Sequence, residues 1–231
     1  MKKVGIIGGL SPESTMLYYA GINDGVRVHM GGLHSGAILL NSLDFGVFVA
    51  LKNKGDWDTQ AEILCDAARS LERAGADFII LATNTMHKMA DQIEAEINIL
   101  FLHLADATAR RIKDAGMDRI ALLGTRYTME QNFYKERLEC IGIEVLVPDT
   151  VGRQDVHDII YDELCNGKVL QNSKGKYQDI IGTLQKQGAQ GVVLGCTEIT
   201  MLMKPADMEI KCFDTTAIHI EETLTYMLEG E

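Results

Sequence analysis

The fold is decided by two stretches of similar sequence: residues 71–85 read LERAGADFIILATNT and residues 184–198 read LQKQGAQGVVLGCTE. Each predicts the end of a helix, a glycine that stops it, a short apolar strand and a polar turn. In a register offset by 113 positions (184 − 71), Thr83 corresponds to Cys196. Because parallel sheets carry such turns at their carboxyl edge, where ligands bind, we expect Thr83 and Cys196 to face each other across a small cleft. The identical pairs in this register are Leu71/Leu184, Gly75/Gly188, Ala76/Ala189 and Leu81/Leu194.

The composition restricts the class of protein. A chain of 231 residues, 46% of them hydrophobic, is long enough for one large domain or two small ones. The net charge of −11, from 33 acidic and 22 basic residues without a basic run, argues against binding to nucleic acid or to anionic membranes. No apolar run approaches a membrane span, and Met1–Lys3 leads into a strand rather than a signal-peptide core, so we expect a cytoplasmic protein.

The cysteines argue against two kinds of structural site. Their number is odd and no CxxC pair occurs, which disfavours both a disulfide framework and a zinc site. We therefore expect no metal. The five are Cys65, Cys140, Cys165, Cys196 and Cys212.

The first predicted strand, Val4–Ile7, ends at two glycines that precede a predicted helix from Pro12 to Gly25. Ser11 is expected to be the N-cap, and Pro12 suits the first helical position because its missing N–H costs nothing there. The free N–H groups of this helix end could bind an anion such as a carboxylate, or the segment could be a tight turn without a ligand. Ser11 is therefore a candidate substrate-binding residue.

A polar segment follows the second predicted strand, Ala37–Leu40. The sequence predicts an irregular run from Asn41 to Trp57, and a long loop at a sheet edge is often a binding loop or a lid. Lys52 in this run could meet a side-chain carboxylate or could be a solvated surface charge. The next segment predicts an amphipathic helix that Gly75 ends.

The second half of the chain repeats the plan of the first. Residues 4–8 (VGIIG) and 120–124 (IALLG) align at an offset of 116 (120 − 4), and Thr128 with Gln131 predicts a capping box. Each half carries four short apolar strands joined by helical connections, which indicates parallel βα units with helices on both sheet faces. The further predicted strands are Phe78–Leu81, Ile99–Leu102, Ile120–Leu123, Glu144–Val147, Val192–Leu194 and Ile210–Phe213.

The predicted fold class is therefore α/β, with two pseudo-symmetric lobes and the active site in the cleft between them. Each lobe is expected to hold a four-stranded, mainly parallel sheet with flanking helices. We place the N-terminal lobe at residues 1–102 plus 214–231 and the C-terminal lobe at residues 103–213.

Cys196 follows Gly195 at the end of an apolar strand, at the turn into a predicted helix. Amide dipoles at a helix start can lower a thiol pKa from about 8.5 into a range in which thiolate is available, whereas an isolated cysteine is usually a small buried hydrophobe. The position at a sheet edge favours the reactive interpretation. A thiolate and an opposed hydroxyl could invert a stereocentre, and the spacing leaves thiol-assisted decarboxylation and cis–trans isomerisation open as well.

Five segments, in the same chain order, resemble the cofactor-independent aspartate/glutamate racemase family, and together they span nearly the whole chain. They are Gly8–Thr15, Asn84–His87, Gly124–Met129, Gly195–Glu198 and Phe213–His219. The resemblance implies two α/β lobes that bind the amino acid between them and assembly as a homodimer. It also implies catalysis without pyridoxal phosphate and without a metal.

In that family two cysteines act as the two bases, one before Asn-Thr and one within Gly-Cys-Thr-Glu. The second matches Cys196, to which the resemblance assigns removal of the α-proton of the L-enantiomer. The first falls on Thr83, a departure from the two-cysteine pattern. A hydroxyl has no anionic form comparable to a thiolate near neutral pH, so Thr83 is expected to donate a proton far more readily than to remove one. We therefore expect a racemase for L-aspartate and/or L-glutamate that is faster from L to D.

The neighbours of the two catalytic positions are the candidate substrate-binding residues. Their backbone N–H groups and hydroxyls could hold the α-carboxylate, and Glu198 could meet the α-ammonium. For an acidic substrate side chain the expected cationic partner is Lys52. The resemblance implies a second basic residue where this chain has Asn166, which leaves aspartate, glutamate and other amino acids open. The full set is Ser11, Lys52, Asn84, Thr85, Thr197 and Glu198.

Three other polar residues are expected to have structural roles: His87 at a helix surface or cap, Asp214 as the cap of the C-terminal helix, and His219 in packing. Two rival functions stay open. One is a single-thiol decarboxylase or maleate-type isomerase on the same fold. The other is a catalytically silent amino-acid-binding or regulatory protein.

Overall fold

A computed structural model describes residues 1–229 of the chain. The residues form two compact units. The first comprises Met1–Leu104 and the chain from His219 onward, and the second comprises Ala105–Ile218. Residues 230 and 231, which the predicted N-terminal lobe includes, lie outside the described residues.

The first unit is built on a four-stranded sheet in which all neighbouring strands are parallel. The strand order is β2-β1-β3-β4, so the first strand of the chain lies inside the sheet. The strands are β1 (Val4–Gly8), β2 (Ile38–Ser42), β3 (Phe78–Leu81) and β4 (Leu100–Phe101).

The second unit repeats this topology, with the parallel order β6-β5-β7-β8. Strand β5 takes the place of β1 and β7 the place of β3, which is the equivalence that the two sequence offsets predict. The predicted α/β class with two four-stranded parallel sheets is confirmed. The strands are β5 (Arg119–Gly124), β6 (Glu144–Leu146), β7 (Gly191–Gly195) and β8 (Lys211–Asp214).

Helices connect the strands and cover both sheet faces, as parallel crossovers require. Shorter turns of other helical types occur at residues 85–89, 159–163, 164–166 and 205–207. The α-helices are α1 (Pro12–Met30), α2 (Phe45–Lys54), α3 (Trp57–Arg73), α4 (Ala90–Ala95), α5 (Leu104–Asp114), α6 (Arg126–Glu130), α7 (Asn132–Glu139), α8 (Thr150–Asp158), α9 (Gln171–Lys186), α10 (Ile199–Leu202) and α11 (Thr215–Leu228).

The inner strands are apolar throughout because both of their faces are buried. Every residue of β1, β3 and β7 is buried. In the first unit, alternate side chains enter different clusters: Ile7 and Ile79 pack on one face, while Ile6 and Ile80 pack on the other. Burial of each such side chain contributes about 1.5–3 kcal/mol.

The predicted irregular run between Asn41 and Trp57 is wrong. Strand β2 continues to Ser42, and helix α2 then occupies ten residues of the run. Asp44 begins the helix, because its Oδ1 accepts a hydrogen bond from Gly46 N at 2.8 Å. Gly55 ends it in a left-handed conformation with φ 72°. The interpretation of this segment as a long binding loop therefore fails.

The predicted capping box of Thr128 and Gln131 is also wrong. Thr125 is the N-cap of α6, and its Oγ1 accepts the hydrogen bond of Thr128 N at 3.4 Å. Gln131 precedes α7 but makes no side-chain capping bond. The helix start therefore lies one turn earlier than the sequence pattern indicates.

The first predicted helix has a different limit in the structure, because α1 continues past Gly25 to Met30. Helix α8 continues beyond Asp158 as a π-helical turn. Among residues 1–229, no helix combines the length and the apolar character needed to cross a membrane.

Candidate active site

In the first unit, the turn after β3 holds Thr83, which is half-buried. Its backbone N–H donates a hydrogen bond to Leu81 O at 2.9 Å. The preceding residue, Ala82, is tied to both neighbours of the turn, because its N–H donates to Ile7 O at 2.9 Å and its carbonyl accepts from Ser14 Oγ at 2.8 Å. The turn after β3 is thereby joined to strand β1 and to helix α1.

The start of α1 holds Ser11 as its N-cap, as the sequence predicts. Ser11 Oγ accepts a hydrogen bond from Ser14 N at 3.4 Å. The Thr15 hydroxyl donates to Ser11 O at 3.0 Å and accepts from Gly9 N at 2.8 Å. Because Ser14 also contacts Ala82, the turns that carry Ser11 and Thr83 lie at the same edge of the first sheet.

Asn84 and Thr85 continue the chain from Thr83 into a short 3-10 turn, and both are buried. The carbonyl of Asn84 accepts a hydrogen bond from His87 N at 3.1 Å. Lys52 lies elsewhere on the unit, in the last turn of α2 and only partly exposed. The sequence placed it in a loop, whereas the structure places it on a helix.

Buried histidines lie behind this turn. His87 Nδ1 lies 2.7 Å from the carbonyl oxygen of Thr83. His219, on α11, is fully buried between Tyr18 and the carbonyl of Leu102, at 2.8 Å from each. Burial lowers the pKa of His219 from 6.5 to about 4, with the Leu102 contact opposing the shift. The packing role predicted for His219 agrees with this position.

In the second unit, Cys196 stands directly after β7 and is 8% exposed. Thr197 follows it, and Thr216 Oγ1 donates a hydrogen bond to Thr197 Oγ1 at 3.4 Å. Asp214 caps α11 as predicted, because its Oδ1 accepts from Thr216 N at 2.9 Å and from Ala217 N at 3.1 Å. The ends of β7 and β8 thus place Thr197 and Thr216 side by side.

The thiol of Cys196 has an acidic partner. Its Sγ donates a hydrogen bond to Glu198 Oε2 at 2.8 Å. Burial raises the pKa of the Cys196 thiol well above its usual range, and the negative charge of Glu198 raises it further. This direction is the opposite of the lowering of the thiol pKa by helix amides that the sequence predicts. Helix α10 has only four residues and begins at Ile199, so its dipole is small.

Tyr161 is a neighbour of Cys196 that sequence reasoning missed. It lies in the π-helical turn 159–163, and its ring packs at a tilt of 57° against His157, with 4.8 Å between the ring centroids. Burial raises the pKa of the Tyr161 phenol, and the nearby Cys196 and Glu198 add to the rise. A π-helical turn shifts the phase of the following side chains, so the helical periodicity of the sequence did not indicate that Tyr161 lies near Cys196.

Within residues 1–229, no group of three or more histidine, cysteine, aspartate and glutamate side chains is arranged to hold a metal ion. The candidate residues at the two sheet edges carry groups that can take part in proton transfer. The second unit supplies a thiol and a carboxylate, and the first supplies hydroxyl and amide groups at the equivalent sheet edge.

The sequence profile of Asp/Glu/Hydantoin racemases matches residues 7–223. The chain belongs to that racemase family. The resemblance of the five sequence segments is thereby confirmed, and the family indicates a racemase, an enzyme of the isomerase class, whose substrates are amino acids. The two parallel sheets with flanking helices agree with the two-lobe fold of these racemases.

Solved structures and a characterised relative agree with this assignment. The crystal structure of a candidate Asp/Glu racemase from Yersinia pestis is 52% identical, with a TM-score of 0.95 and coverage of 99% of this chain and 100% of that one. An aspartate racemase homologue from Pyrococcus horikoshii is 36% identical, with a TM-score of 0.88 over 99% and 100% of the two chains. The broad specificity amino-acid racemase RacX of Bacillus subtilis is 23% identical over 97% of this chain and 98% of its own.

Proposed function

We propose that this family member racemises L-aspartate and/or L-glutamate without a cofactor. Cys196 removes the α-proton, and the Thr83 side returns a proton to the opposite face of the same carbon. The observation that carries the proposal is the thiol at the carboxyl end of β7, held by a hydrogen bond to Glu198 at 2.8 Å. This is the position at which parallel sheets bind ligands.

The proton balance of the reaction is simple. The Cys196 thiolate takes the α-proton of the L-amino acid and becomes a thiol, while the electron pair of the C–H bond passes to the α-carbon and its carboxylate. Thr83, or a water that it holds, then gives a proton to the opposite face and regains one from solvent, while the Cys196 thiol releases its proton to solvent. Hydroxyl and N–H groups of Ser11, Asn84, Thr85 and Thr197 hold the α-carboxylate, whose negative charge grows in this step.

Glu198 links substrate binding to activation of the thiol. Its charge raises the pKa of Cys196 and so disfavours the thiolate. A substrate ammonium group beside Glu198 offsets that charge, which makes the thiolate easier to form once the amino acid is bound. The same carboxylate therefore binds the ammonium group and delays activation of the thiol until substrate arrives.

The two directions are expected to differ in rate. A thiolate is a competent base for carbon, whereas the hydroxyl of Thr83 is a far weaker one at neutral pH. The reaction from L to D is therefore faster than the reverse, while the equilibrium between the free enantiomers stays at unity. A substrate with an acidic side chain takes Lys52 as its cationic partner, and the broad specificity of the Bacillus subtilis relative argues for testing neutral amino acids as well. A homodimeric assembly and a cytoplasmic location are parts of the same proposal.

Proton NMR in deuterium oxide tests the proposal. With L-aspartate, L-glutamate and a panel of neutral L-amino acids, we expect loss of the α-proton signal and the appearance of D-enantiomer on a chiral column. Both should persist in the presence of EDTA and of hydroxylamine, which captures pyridoxal phosphate. Absence of deuterium at the α-carbon of every amino acid tested would contradict racemisation. Equal kcat/KM from both enantiomers would contradict only the directional part.

A further inference from the structure

The His87 ring makes one hydrogen bond as a donor and another as an acceptor. Its Nδ1 lies 2.7 Å from the carbonyl oxygen of Thr83, and its Nε2 lies 3.3 Å from Leu104 N. A backbone N–H only donates and a carbonyl only accepts, so the imidazole must accept at Nε2 and donate at Nδ1. The two contacts together assign one neutral tautomer, with the proton on Nδ1.

The ring cannot turn away from these partners. His87 is 2% exposed, and its ring packs edge-on against His103 with 4.5 Å between centroids. Phe101 lies at 5.6 Å and His219 at 6.1 Å from the same ring. A side chain in so dense an environment occupies one rotamer, so the Nδ1 donor is fixed in direction.

The Nδ1–H group of His87 and a second hydrogen bond hold the backbone of Thr83 in place. The N–H of Thr83 donates to Leu81 O at 2.9 Å, and its carbonyl accepts from His87 at 2.7 Å. The backbone N–H of His87 also donates to Asn84 O at 3.1 Å, which closes the turn on itself. Both polar groups of the Thr83 backbone are thereby anchored, and rotation of the turn would break at least one bond.

We propose that His87 is a positioning residue for Thr83. It aims the Thr83 hydroxyl by holding the carbonyl of the same residue, and so it governs return of the proton to the α-carbon but not removal of the proton by Cys196. The inference rests on the proposed racemase function. Because His87 acts on Thr83 and not on Cys196, loss of the His87–Thr83 hydrogen bond is expected to slow inversion more than it slows exchange of the α-proton.

Two substitutions separate the two hydrogen bonds. The amide of asparagine reaches approximately the position of Nδ1, so His87→Asn can still donate to Thr83 O. The amide of glutamine reaches approximately the position of Nε2, so His87→Gln keeps the contact with Leu104 N and loses that with Thr83. The wild-type protein and both variants are given an L-amino acid in deuterium oxide. Deuterium in recovered L-enantiomer reports removal of the α-proton by Cys196, exchange of the thiol proton with solvent and return of a deuteron to the same face, and the D-enantiomer reports inversion.

In His87→Gln we expect the ratio of inversion to exchange to fall by about tenfold to a hundredfold, the effect of a misplaced reacting group. Exchange itself should stay within about threefold of wild type. His87→Asn should keep a ratio near that of wild type while its melting temperature falls. A wild-type ratio in His87→Gln overturns the inference, and so does a similar fall of the ratio in His87→Asn.

Misfolding and failure of the underlying function give different results. An unfolded variant loses exchange and inversion together, and it also loses the circular dichroism spectrum. If His87→Gln does not fold, His87→Phe replaces it, because phenylalanine keeps the ring packing against Phe101 without either nitrogen. A wild-type ratio in His87→Phe also overturns the inference. If the wild-type protein shows neither exchange nor inversion, the racemase proposal itself fails.

Discussion

The thiol of Cys196 donates its hydrogen bond to the carboxylate of Glu198, two residues further along the chain, with 2.8 Å between Sγ and Oε2. A carboxylate at this distance stabilises the protonated thiol and opposes the thiolate. The position of Glu198 therefore favours the protonated thiol, and under the proposed function a substrate ammonium group beside Glu198 would offset this effect.

The first prediction concerns this carboxylate. In Glu198→Gln the negative charge beside Cys196 is removed, so the pKa of the thiol should fall and thiolate should form at lower pH. The rate of alkylation of Cys196 by iodoacetamide, followed by mass spectrometry of the peptide, should then rise at a lower pH than in wild type. Glu139→Gln, an exposed position in the same unit, is the control and should leave the profile unchanged. A higher midpoint in Glu198→Gln would contradict the inferred effect of the carboxylate.

The second prediction concerns the base itself. Cys196→Ser replaces a thiol by a hydroxyl of far higher pKa, so deuterium exchange from L-amino acids should fall by about a thousandfold or more. Cys140→Ser, at an exposed cysteine of the same unit, should keep wild-type exchange. Exchange in Cys196→Ser within about tenfold of wild type would exclude this thiol as the base.

The third prediction uses the buried imidazole of His219. Its pKa is about 4 in the folded protein and 6.5 as its ordinary value, so the unfolded chain binds more protons between these two pH values. Stability from this residue is complete above pH 6.5 and is lost as the pH falls towards 4, by about 3 kcal/mol in total.

Urea unfolding at a series of pH values measures this loss. His219→Gln can still donate to Leu102 O and does not titrate, so its stability should decline less between pH 6.5 and 4 than that of wild type. The variant should also be less stable at pH 7 by about 1–3 kcal/mol, because the Nδ1 acceptor for Tyr18 is removed. His34→Gln, at an exposed histidine, should follow the wild-type slope. Parallel slopes for wild type and His219→Gln would exclude the buried imidazole as the cause.

The fourth prediction compares two glycines with similar backbone conformations. Gly9 has φ +84° and Gly55 has φ +72°, so alanine is strained at both by about 1–2 kcal/mol. At Gly9 a Cβ would also overlap the backbone of Leu43, whereas nothing lies within 4 Å at Gly55. Gly9→Ala should therefore lower the melting temperature clearly more than Gly55→Ala. Equal losses would show that the turn at Gly9 has room to adjust.

The strands were predictable because the pattern that identifies each of them lies within a few consecutive residues. Short apolar runs that end at glycine, such as Val192–Leu194, are typical of strands inside a sheet that is covered on both faces, where every side chain is buried. The internal repeat then determined which strands are equivalent. Helix α2 was not predictable in the same way. Its apolar residues, from Phe45 to Leu51, are nearly consecutive and form no stripe of helical period, so the polar Asn41–Asp44 segment dominated the interpretation.

The sequence predicted which residues lie at the candidate site, but it did not predict the direction of the pKa shift of Cys196. The turn sequence indicated Cys196 and Glu198 as neighbours at a sheet edge. It did not show that the Glu198 side chain turns back onto the thiol, a choice of rotamer that reverses the expected direction of the thiol pKa shift. The proximity of Tyr161 to the same site depends on a π-helical turn, which local sequence patterns do not reveal.

Helix α11 begins at Thr215 in the second unit and continues, from His219 onward, as part of the first. Met227 fills the core beside β1, and its carbonyl accepts a hydrogen bond from Lys2 N at 2.9 Å. Helix α1 covers part of the same sheet face through Tyr18 and Ile22, so on the ribosome this face lacks the rest of its cover until α11 has been synthesised. The unit whose strands are translated first therefore completes its core late, and a nascent chain that stops short of His219 is expected to depend on chaperones.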